Sequence, residues 1–204
     1  MIKWIIFDIM GVMFKDSDDV KQCLIPFLKS KDITFNQDNV YKKYKEASLG
    51  MITSAKFWEC FGLENLDQEY LSSSLRFDNE SLRIPQKYKN EFSFAIISND
   101  VAEWSKILRN MYKIDNYFSH SVISGDVGIR KPDLEIYNIF LDKTNALPEE
   151  CIFIDDNIKN LKAAKKLGIY TIYFNRNQGI ENEYLDCDYV INNWSQIQQI
   201  IEQI

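Results

Sequence analysis

The chain has 204 residues, 46% of them hydrophobic and 26% charged, so it is long enough and apolar enough to bury a substantial core. Its net charge is −6 and its Lys and Arg residues are scattered, which argues against nucleic acid or an anionic membrane surface as a partner. The sequence shows neither a charged-then-apolar leader nor an apolar run that approaches the roughly 20 residues of a membrane span. Its four cysteines show no C-x-x-C spacing, so we expect a cytoplasmic protein.

Short apolar runs recur along the chain, with the length and composition of strands buried on both faces. They are Ile2–Phe7, Phe92–Ile97, Cys151–Ile154, Tyr170–Phe174 and Tyr189–Ile191. The segment from about Lys15 to Pro85 differs, because its pattern predicts four consecutive helices without a convincing strand. Helical patterns return after Asp133 and after Asn157, and the latter stops at Gly168.

Strands that alternate with helices predict an α/β fold with a doubly wound parallel sheet. The helical segment follows the first strand and interrupts this alternation, which is typical of an inserted cap. We therefore predict a core made of residues 1–14 and 87–204, and a helical cap made of residues 15–86.

Polar residues follow the predicted strands at their carboxyl ends, where an open parallel sheet binds its ligands. They are Asp8, Ser98, Asn99, Asp100, Asp155 and Asp156, with Lys131 in a segment that precedes a predicted helix. Taken singly, each acid is most simply a turn or capping residue, and the lysine a solvated charge. Taken together, converging carboxylates would repel one another unless a cation neutralised them, and oxygen ligands suit Mg²⁺.

Four segments in this order resemble the motifs of the haloacid dehalogenase superfamily of hydrolases. They read FDIMGV, IISND, GIRKP and IFIDDNIKNLKAAKKLGI, and the resemblance covers nearly the whole chain. The helical segment between the first two is similar to the cap of the commonest branch. Within it, SGDVGIRKPDLEIY and FIDDN, followed by Asn160, look closest to the sugar-phosphate phosphatases typified by bacterial alpha-glucose-1-phosphate phosphatase.

The resemblance implies a Mg²⁺-dependent phosphatase that acts on a small phosphorylated metabolite, such as a sugar phosphate, through an aspartyl-phosphate. Asp8 matches the nucleophile of the family, a covalent role open to a carboxylate. Asp156 matches the principal metal carboxylate, with Asp155 alongside it, and the backbone carbonyl of Met10 matches a further metal ligand.

The resemblance also implies that residues at the remaining motif positions bind the phosphoryl group and offset its charge. Ser98 and the Asn99 amide would bind its oxygens, and Lys131 would offset their charge together with that of Asp8. Asn160 stands where many members have a further acid, and it would hold either a metal-bound water or Lys131.

Met10 departs from the pattern, because many phosphatases of this superfamily have there an aspartate that protonates the leaving group. Loss of a well-placed general acid–base costs about 10²–10⁴ in rate. One explanation is a phosphatase whose substrate leaves easily, or that recruits Asp16, Asp18 or Asp19, although helix capping is the simpler role for these three. Without a recruited acid, the rate should depend strongly on the leaving group.

Two further explanations remain open. A dehalogenase needs no leaving-group acid, but the FIDDN segment favours a metal and therefore argues against halide chemistry. A silent binding or regulatory protein could retain the fold without turnover. A phospho-receiver domain is excluded, because its acid pair would lie near the first strand, whereas Asp155 and Asp156 come late in the chain.

Other chemistry-bearing residues have simpler interpretations. His120, the only histidine, approaches a short strand and is not expected to be catalytic. Trp58 is expected to belong to the core of the helical segment, and Trp104 could face either the site or the cap.

Overall fold

The computed structural model describes residues 1–176 and 186–203, so positions 177–185 and 204 of the predicted core lie outside the described residues. A parallel sheet of six strands in the order β3-β2-β1-β4-β5-β6 forms the centre of this part of the chain. The strands are β1 Trp4–Phe7, β2 Ser93–Ser98, β3 His120–Ile123, β4 Cys151–Asp155, β5 Tyr170–Phe174 and β6 Tyr189–Ile191. The predicted doubly wound α/β architecture is confirmed.

The described residues also form ten α-helices. They are α1 Ile25–Lys29, α2 Gln37–Ala47, α3 Ser54–Glu59, α4 Asp67–Ser74, α5 Arg83–Tyr88, α6 Ala102–Met111, α7 Ser124–Val127, α8 Leu134–Thr144, α9 Ile158–Lys166 and α10 Trp194–Ile201. A π-helical turn, Val20–Leu24, runs directly into α1, and short 3₁₀ turns lie at Asn79–Leu82, Ile114–Asn116 and Pro148–Glu150. None of the helices in the described ranges has the length and hydrophobicity that crossing a bilayer requires.

Side-chain caps begin several of these helices. The Asn36 side chain accepts hydrogen bonds from two backbone N–H groups at the start of α2, and Thr53 caps α3 in the same way. Asp133 and Asn157 cap α8 and α9. Each cap satisfies N–H groups that have no partner within the helix, which stabilises a helix by about 1 kcal/mol.

Alternate residues of each strand pack on opposite sides of the sheet. Ile5 and Phe7 of β1 pack with α6 and α10, and Ile6 packs with α8 and α9 on the other side. Because helices cover both faces, the strands are apolar throughout. Strand β3 falls outside the apolar runs found in the sequence, because its first two residues, His120 and Ser121, are polar and partly exposed.

The segment between β1 and β2 is helical, from the π-helical turn to α5. An isolated antiparallel bridge joins Phe14 to Phe77, at the two ends of this segment. The predicted boundary at residue 86 falls within α5. The division into a core and a separate cap stays a prediction.

An aspartate joins the helical segment to the sheet region. The Oδ1 atom of Asp67 accepts hydrogen bonds of 2.6 Å from the indole N–H groups of Trp58 and Trp104, and its Oδ2 atom accepts one from Ser54. Trp104 lies on α6 directly after β2, and both indoles are almost completely buried in an aromatic cluster with Phe57 and others. Trp104 thus faces the helical segment, and Trp58 lies in its core as expected.

Replacing Asp67 with alanine should lower the free energy of unfolding by about 2–4 kcal/mol, because it leaves two buried indole N–H donors without an acceptor. Urea denaturation followed by tryptophan fluorescence measures the change. Gln68→Ala, on the exposed side of the same helix, should change stability by less than about 0.5 kcal/mol. Equal effects of the two substitutions would show that the Asp67 hydrogen bonds contribute nothing specific.

Candidate active site

The carboxyl ends of the three central strands bring the predicted acids together. Phe7 of β1 is in register with Ile154 of β4, so Asp8 and Asp155 follow at equivalent positions on neighbouring strands. One carboxylate oxygen from each of Asp8, Asp155 and Asp156 lies within 4.8 Å of the others. Adjacent parallel strands thus create a cluster of three acids that are far apart in sequence.

Lys131 lies within this cluster and is almost completely buried. Its Nζ atom is 2.8 Å from Asp8 Oδ1 and 2.8 Å from Asp155 Oδ2, and it donates to the carbonyl oxygen of Ile97 at 2.9 Å. These three partners use all three N–H donors of an ammonium group. A direct bond from Lys131 to a phosphoryl oxygen would therefore require the exchange of one of them.

Burial by itself would lower the pKa of Lys131, but the charges of Asp155 and Asp8 outweigh it and raise the pKa above its ordinary value. The lysine therefore remains an ammonium ion across the physiological range. Burial raises the pKa of Asp155 to about 6, with Lys131 opposing this shift and Asp8 reinforcing it. The stable arrangement is an ion triad, Asp8–Lys131–Asp155.

The loop that carries Lys131 is fastened to the end of β2 by a reciprocal pair of hydrogen bonds. The Asn99 side chain donates to the carbonyl oxygen of Lys131 at 2.9 Å and accepts from its N–H at 2.8 Å. Because the side-chain amide of Asn99 is committed in this way, a phosphoryl contact from this residue would come from its backbone N–H. The predicted phosphate-binding role of Asn99 stays a prediction.

Asn160 fixes the orientation of Asp155. Its side-chain N–H₂ group donates to both carboxylate oxygens, at 3.2 and 3.0 Å, while the Asn157 N–H donates to Oδ1 at 2.7 Å. Together with Lys131, these donors engage both carboxylate oxygens of Asp155. The Asn160 side chain thus binds the acid that pairs with Lys131, and the two roles expected for it, holding a metal-bound water or Lys131, stay predictions.

Asp156 differs from Asp155, because it lies against the backbone of the turn that follows β1. Gly11 has a φ of +77°, and a Cβ atom built there would lie 2.0 Å from Asp156 Oδ2. Glycine is therefore required at position 11, both for its conformation and for the close approach of the carboxylate. Burial, followed by the charges of Asp155 and Asp8, raises the pKa of Asp156 to about 8.

A cavity of about 130 Å³ lies in front of these groups. It is lined by Asp8, Met10, Ser17, Asp19, Tyr44, Ser98, Asn99, Arg130, Lys131, Asp156, Asn157 and Asn160. The Ser98 hydroxyl is buried and has no hydrogen-bond partner among the described residues. A buried hydroxyl without a partner is costly, so this group fits a ligand that supplies an acceptor.

The three acids that could replace the missing proton donor, Asp16, Asp18 and Asp19, lie in different surroundings. Asp16 is buried in an ion pair with Arg76, whose Nε and Nη2 groups both donate to Asp16 Oδ1, at 2.9 Å and 2.5 Å. Asp18 is exposed and caps the π-helical turn through the N–H of Lys21. Asp19 lines the cavity instead. His120 lies at the start of β3, against Trp4, away from the carboxyl ends of the strands.

Sequence reasoning missed several residues of the site. The sequence gives no functional signal for Tyr44, and Arg130 lies in the GIRKP segment without a role of its own. Both line the cavity, Tyr44 from α2 of the helical segment and Arg130 from the loop between α7 and α8. Only Gly11 had a signal in the sequence, a glycine three residues after the strand-end aspartate.

A family model for haloacid dehalogenase-like hydrolases matches residues 2–168. The chain belongs to the haloacid dehalogenase-like hydrolase family. A solved HAD phosphatase from Thermococcus onnurineus has a TM-score of 0.74 and 18% identity, with 98% of each chain covered. A HAD family enzyme from Bacteroides thetaiotaomicron, in complex with magnesium and inorganic phosphate, has a TM-score of 0.71 and 23% identity over 90% of this chain and 98% of that one.

The curated relatives match over short stretches. (S)-2-haloacid dehalogenase 4A of Burkholderia cepacia is 33% identical over 90 residues, which are 44% of this chain and 38% of that protein. Drimenol cyclase drtB of Aspergillus calidoustus is 33% identical over 59 residues, which are 29% of this chain and 11% of that protein. The matched stretches are 38% and 11% of these two proteins, so the chain spans only part of the length of either.

Asp156→Asn should stabilise the protein in the presence of a chelator, and increasingly so as the pH rises. A carboxyl whose pKa is raised from 3.8 to about 8 stabilises the folded state while protonated and loses that contribution as the pH rises through 8. Asparagine mimics the neutral acid, so the free energy of unfolding of the variant should increasingly exceed that of the natural protein from pH 5.5 to pH 8.5. The difference should reach about 1–3 kcal/mol. Thermal unfolding measures it. A pH-independent difference would contradict the raised pKa.

Proposed function

We propose that this chain is a Mg²⁺-dependent phosphatase that hydrolyses a small phosphorylated metabolite through an aspartyl-phosphate on Asp8. The observation that carries the proposal is the charge balance of the site. Three carboxylates converge there, and Lys131 pairs with two of them, Asp8 and Asp155. A third carboxylate, Asp156, is then left to attract a cation before a phosphate dianion can enter.

The residues present fit magnesium. Its ligands would be Asp8, Asp156 and the backbone carbonyl of Met10, with Asp155 the less favourable candidate because donors already engage its oxygens. A hard cation of this kind accepts one or two carboxylates and retains several waters. When bound, Mg²⁺ would neutralise phosphoryl charge and polarise the phosphorus–oxygen bonds.

The chain's own residues would perform the displacement. An Asp8 oxygen attacks phosphorus, and Lys131 orients this carboxylate and offsets its charge through its 2.8 Å contact. The buried Ser98 hydroxyl donates to a phosphoryl oxygen, which supplies the partner it otherwise lacks. Water then attacks the phosphorus atom of the aspartyl-phosphate, which restores Asp8 and releases inorganic phosphate.

We extend the proposal to the finer identity of the protein. The helical segment between β1 and β2 supports assignment to the helical-cap branch, and the motifs resemble its sugar-phosphate phosphatases. A phosphorylated sugar is therefore the proposed substrate, and the cytoplasm the proposed compartment. Nucleic acid and membrane are not proposed as partners.

Dehalogenation is the competing function. It is favoured by Met10, because halide leaves without protonation, and by the similarity to (S)-2-haloacid dehalogenase 4A. The spare carboxylate at Asp156 argues against it, because a cation is not needed for halide departure.

A substrate panel with and without Mg²⁺ separates the candidate functions. Phosphate release from an aryl phosphate and from sugar phosphates, abolished by chelator, is the expected result; halide release from haloacids, or silence throughout, would overturn it. Asp8→Asn should abolish turnover, because an amide cannot form the covalent intermediate. Ser98→Ala should lower the rate about 10²–10³-fold, whereas Ser93→Ala, at the exposed start of the same strand, should be neutral.

Gly11→Ala tests the proposed metal site against a matched control. The added Cβ atom would displace the Asp156 carboxylate, so Mg²⁺ affinity should fall at least about tenfold, as for changes to groups that orient metal ligands. Gly62→Ala carries the same backbone strain, with a φ of +69°, but its Cβ atom meets nothing within 4 Å. Calorimetric titration with Mg²⁺ should therefore distinguish the two variants. Equal affinities would place the metal away from Asp156.

A further inference from the structure

Two cavities meet in front of Asp8. The smaller one, of about 130 Å³, contains the proposed nucleophile and Asp156, and a larger one of about 790 Å³ lies beside it. The residues that line both are Ser17, Asp19, Tyr44, Arg130, Lys131 and Asn157. A phosphoryl group bound in front of Asp8 would leave the rest of its ester in the larger cavity. The ester oxygen that departs would thus lie near these shared residues.

Among the shared residues, Asp19 is the group suited to give up a proton near neutral pH. Arg130 is always charged, and Lys131 commits its three donors to the ion triad and the Ile97 carbonyl. Burial raises the pKa of the Tyr44 hydroxyl well above its ordinary value, so it holds its proton. Asp19, in contrast, is a carboxyl group that is 8% exposed.

The contacts of Asp19 also differ from those of the neighbouring acids. Asp16 is bound by Arg76 and Asp18 is turned to solvent, whereas Asp19 Oδ2 accepts a 2.8 Å hydrogen bond from the Tyr44 hydroxyl. This bond fixes the carboxyl group at the wall between the two cavities. It also leaves Oδ1 as the oxygen that can carry a proton.

We propose that Asp19 is the proton donor to the leaving oxygen, in place of the carboxylic acid that Met10 cannot provide. The inference rests on the proposed phosphatase function. In the first displacement an Asp8 oxygen bonds to phosphorus, the bond from phosphorus to the ester oxygen breaks with its electron pair on that oxygen, and the Asp19 carboxyl proton passes to it.

The second displacement returns the proton. Water bonds to phosphorus while the bond between phosphorus and the Asp8 oxygen breaks, and a proton of that water passes to the Asp19 carboxylate. The products are an alcohol and inorganic phosphate, and both acids are back in their starting states. One carboxyl group thereby serves as acid and then as base.

The electrostatic surroundings of Asp19 support this role. Burial raises its pKa to about 6; the Tyr44 hydrogen bond opposes the shift and the charge of Asp18 reinforces it. An acid with its pKa near the working pH is the most effective proton donor. The titratable and charged groups that face it are Asp18, Asp100, Arg130, Cys23, Tyr41, Tyr44 and Tyr70, and burial raises the pKa of the Asp100 carboxyl well above its ordinary value.

The test compares leaving groups in Asp19→Asn, which keeps the shape of the side chain and an acceptor for Tyr44. Its kcat/KM should fall about 10²–10⁴-fold for an alkyl phosphate but less than about tenfold for 4-nitrophenyl phosphate, whose oxygen leaves without protonation. In the natural protein, kcat/KM for the alkyl ester should decline above about pH 6, as Asp19 ionises, and this decline should be absent from the variant. Asp38→Asn removes the same charge at an exposed position of α2 and should leave kcat/KM unchanged for both esters.

The affinity for inorganic phosphate distinguishes a chemical role of Asp19 from a purely structural one. Calorimetric titration should give the same phosphate affinity for Asp19→Asn and the natural protein, and thermal unfolding should show that the variant is folded. An equal loss of kcat/KM with both esters, or an unchanged kcat/KM with the alkyl ester, would overturn the role of Asp19 while leaving the phosphatase proposal intact. If the natural protein releases no phosphate from 4-nitrophenyl phosphate, the proposed function itself fails.

Discussion

The buried ammonium group of Lys131 is the constraint around which the carboxyl end of the sheet is organised. Its three contacts are with Asp8 after β1, the carbonyl of Ile97 in β2 and Asp155 at the end of β4, which are the three central strands. Removing a buried partner from such an arrangement leaves an uncompensated charge, which typically costs 3–5 kcal/mol. The lysine therefore both holds the strand ends together and orients the proposed nucleophile.

The surplus of negative charge in the same cluster supports the proposed phosphatase function over dehalogenation. Lys131 and its two carboxylate partners already carry one net negative charge when all three are ionised, and an ionised Asp156 would add another that burial makes unfavourable. The close approach of this carboxylate to the Gly11 backbone shows that the main chain is shaped to accept it. A cation site, rather than a halide site, is the arrangement that makes use of such a group.

The helical segment contributes the other half of the candidate site. Tyr44 comes from α2 and Asp19 from the turn that precedes α1, and both lie over the cavity whose floor is formed by the strand ends. The segment is held in this position by buried contacts such as those of Asp67 with the two indoles. Packing remote from the site thus decides which side chains of the helical segment line the cavity.

The sequence by itself determined the fold class and the floor of the site. Apolar runs of about five residues predict strands covered on both faces, and the residues just beyond them must gather at one edge of a parallel sheet. Asp8, Ser98, Lys131 and Asp156 could therefore be named in advance as neighbours. Strand β3 was harder to find, because a strand near the sheet edge tolerates the polar residues His120 and Ser121.

Only the tertiary structure decided which contacts each of these neighbouring acids makes. Asp155 and Asp156 are adjacent in sequence and chemically identical, and it is the position of Lys131 and Asn160 on one side and Gly11 on the other that distinguishes them. In the same way, Asp16, Asp18 and Asp19 become an ion-paired group, a helix cap and a cavity acid through contacts with Arg76, Lys21 and Tyr44. The local sequence pattern predicts which residues follow each strand. Whether a carboxylate is protonated, and whether it is free to bind a ligand, depends on burial and on partners from distant segments.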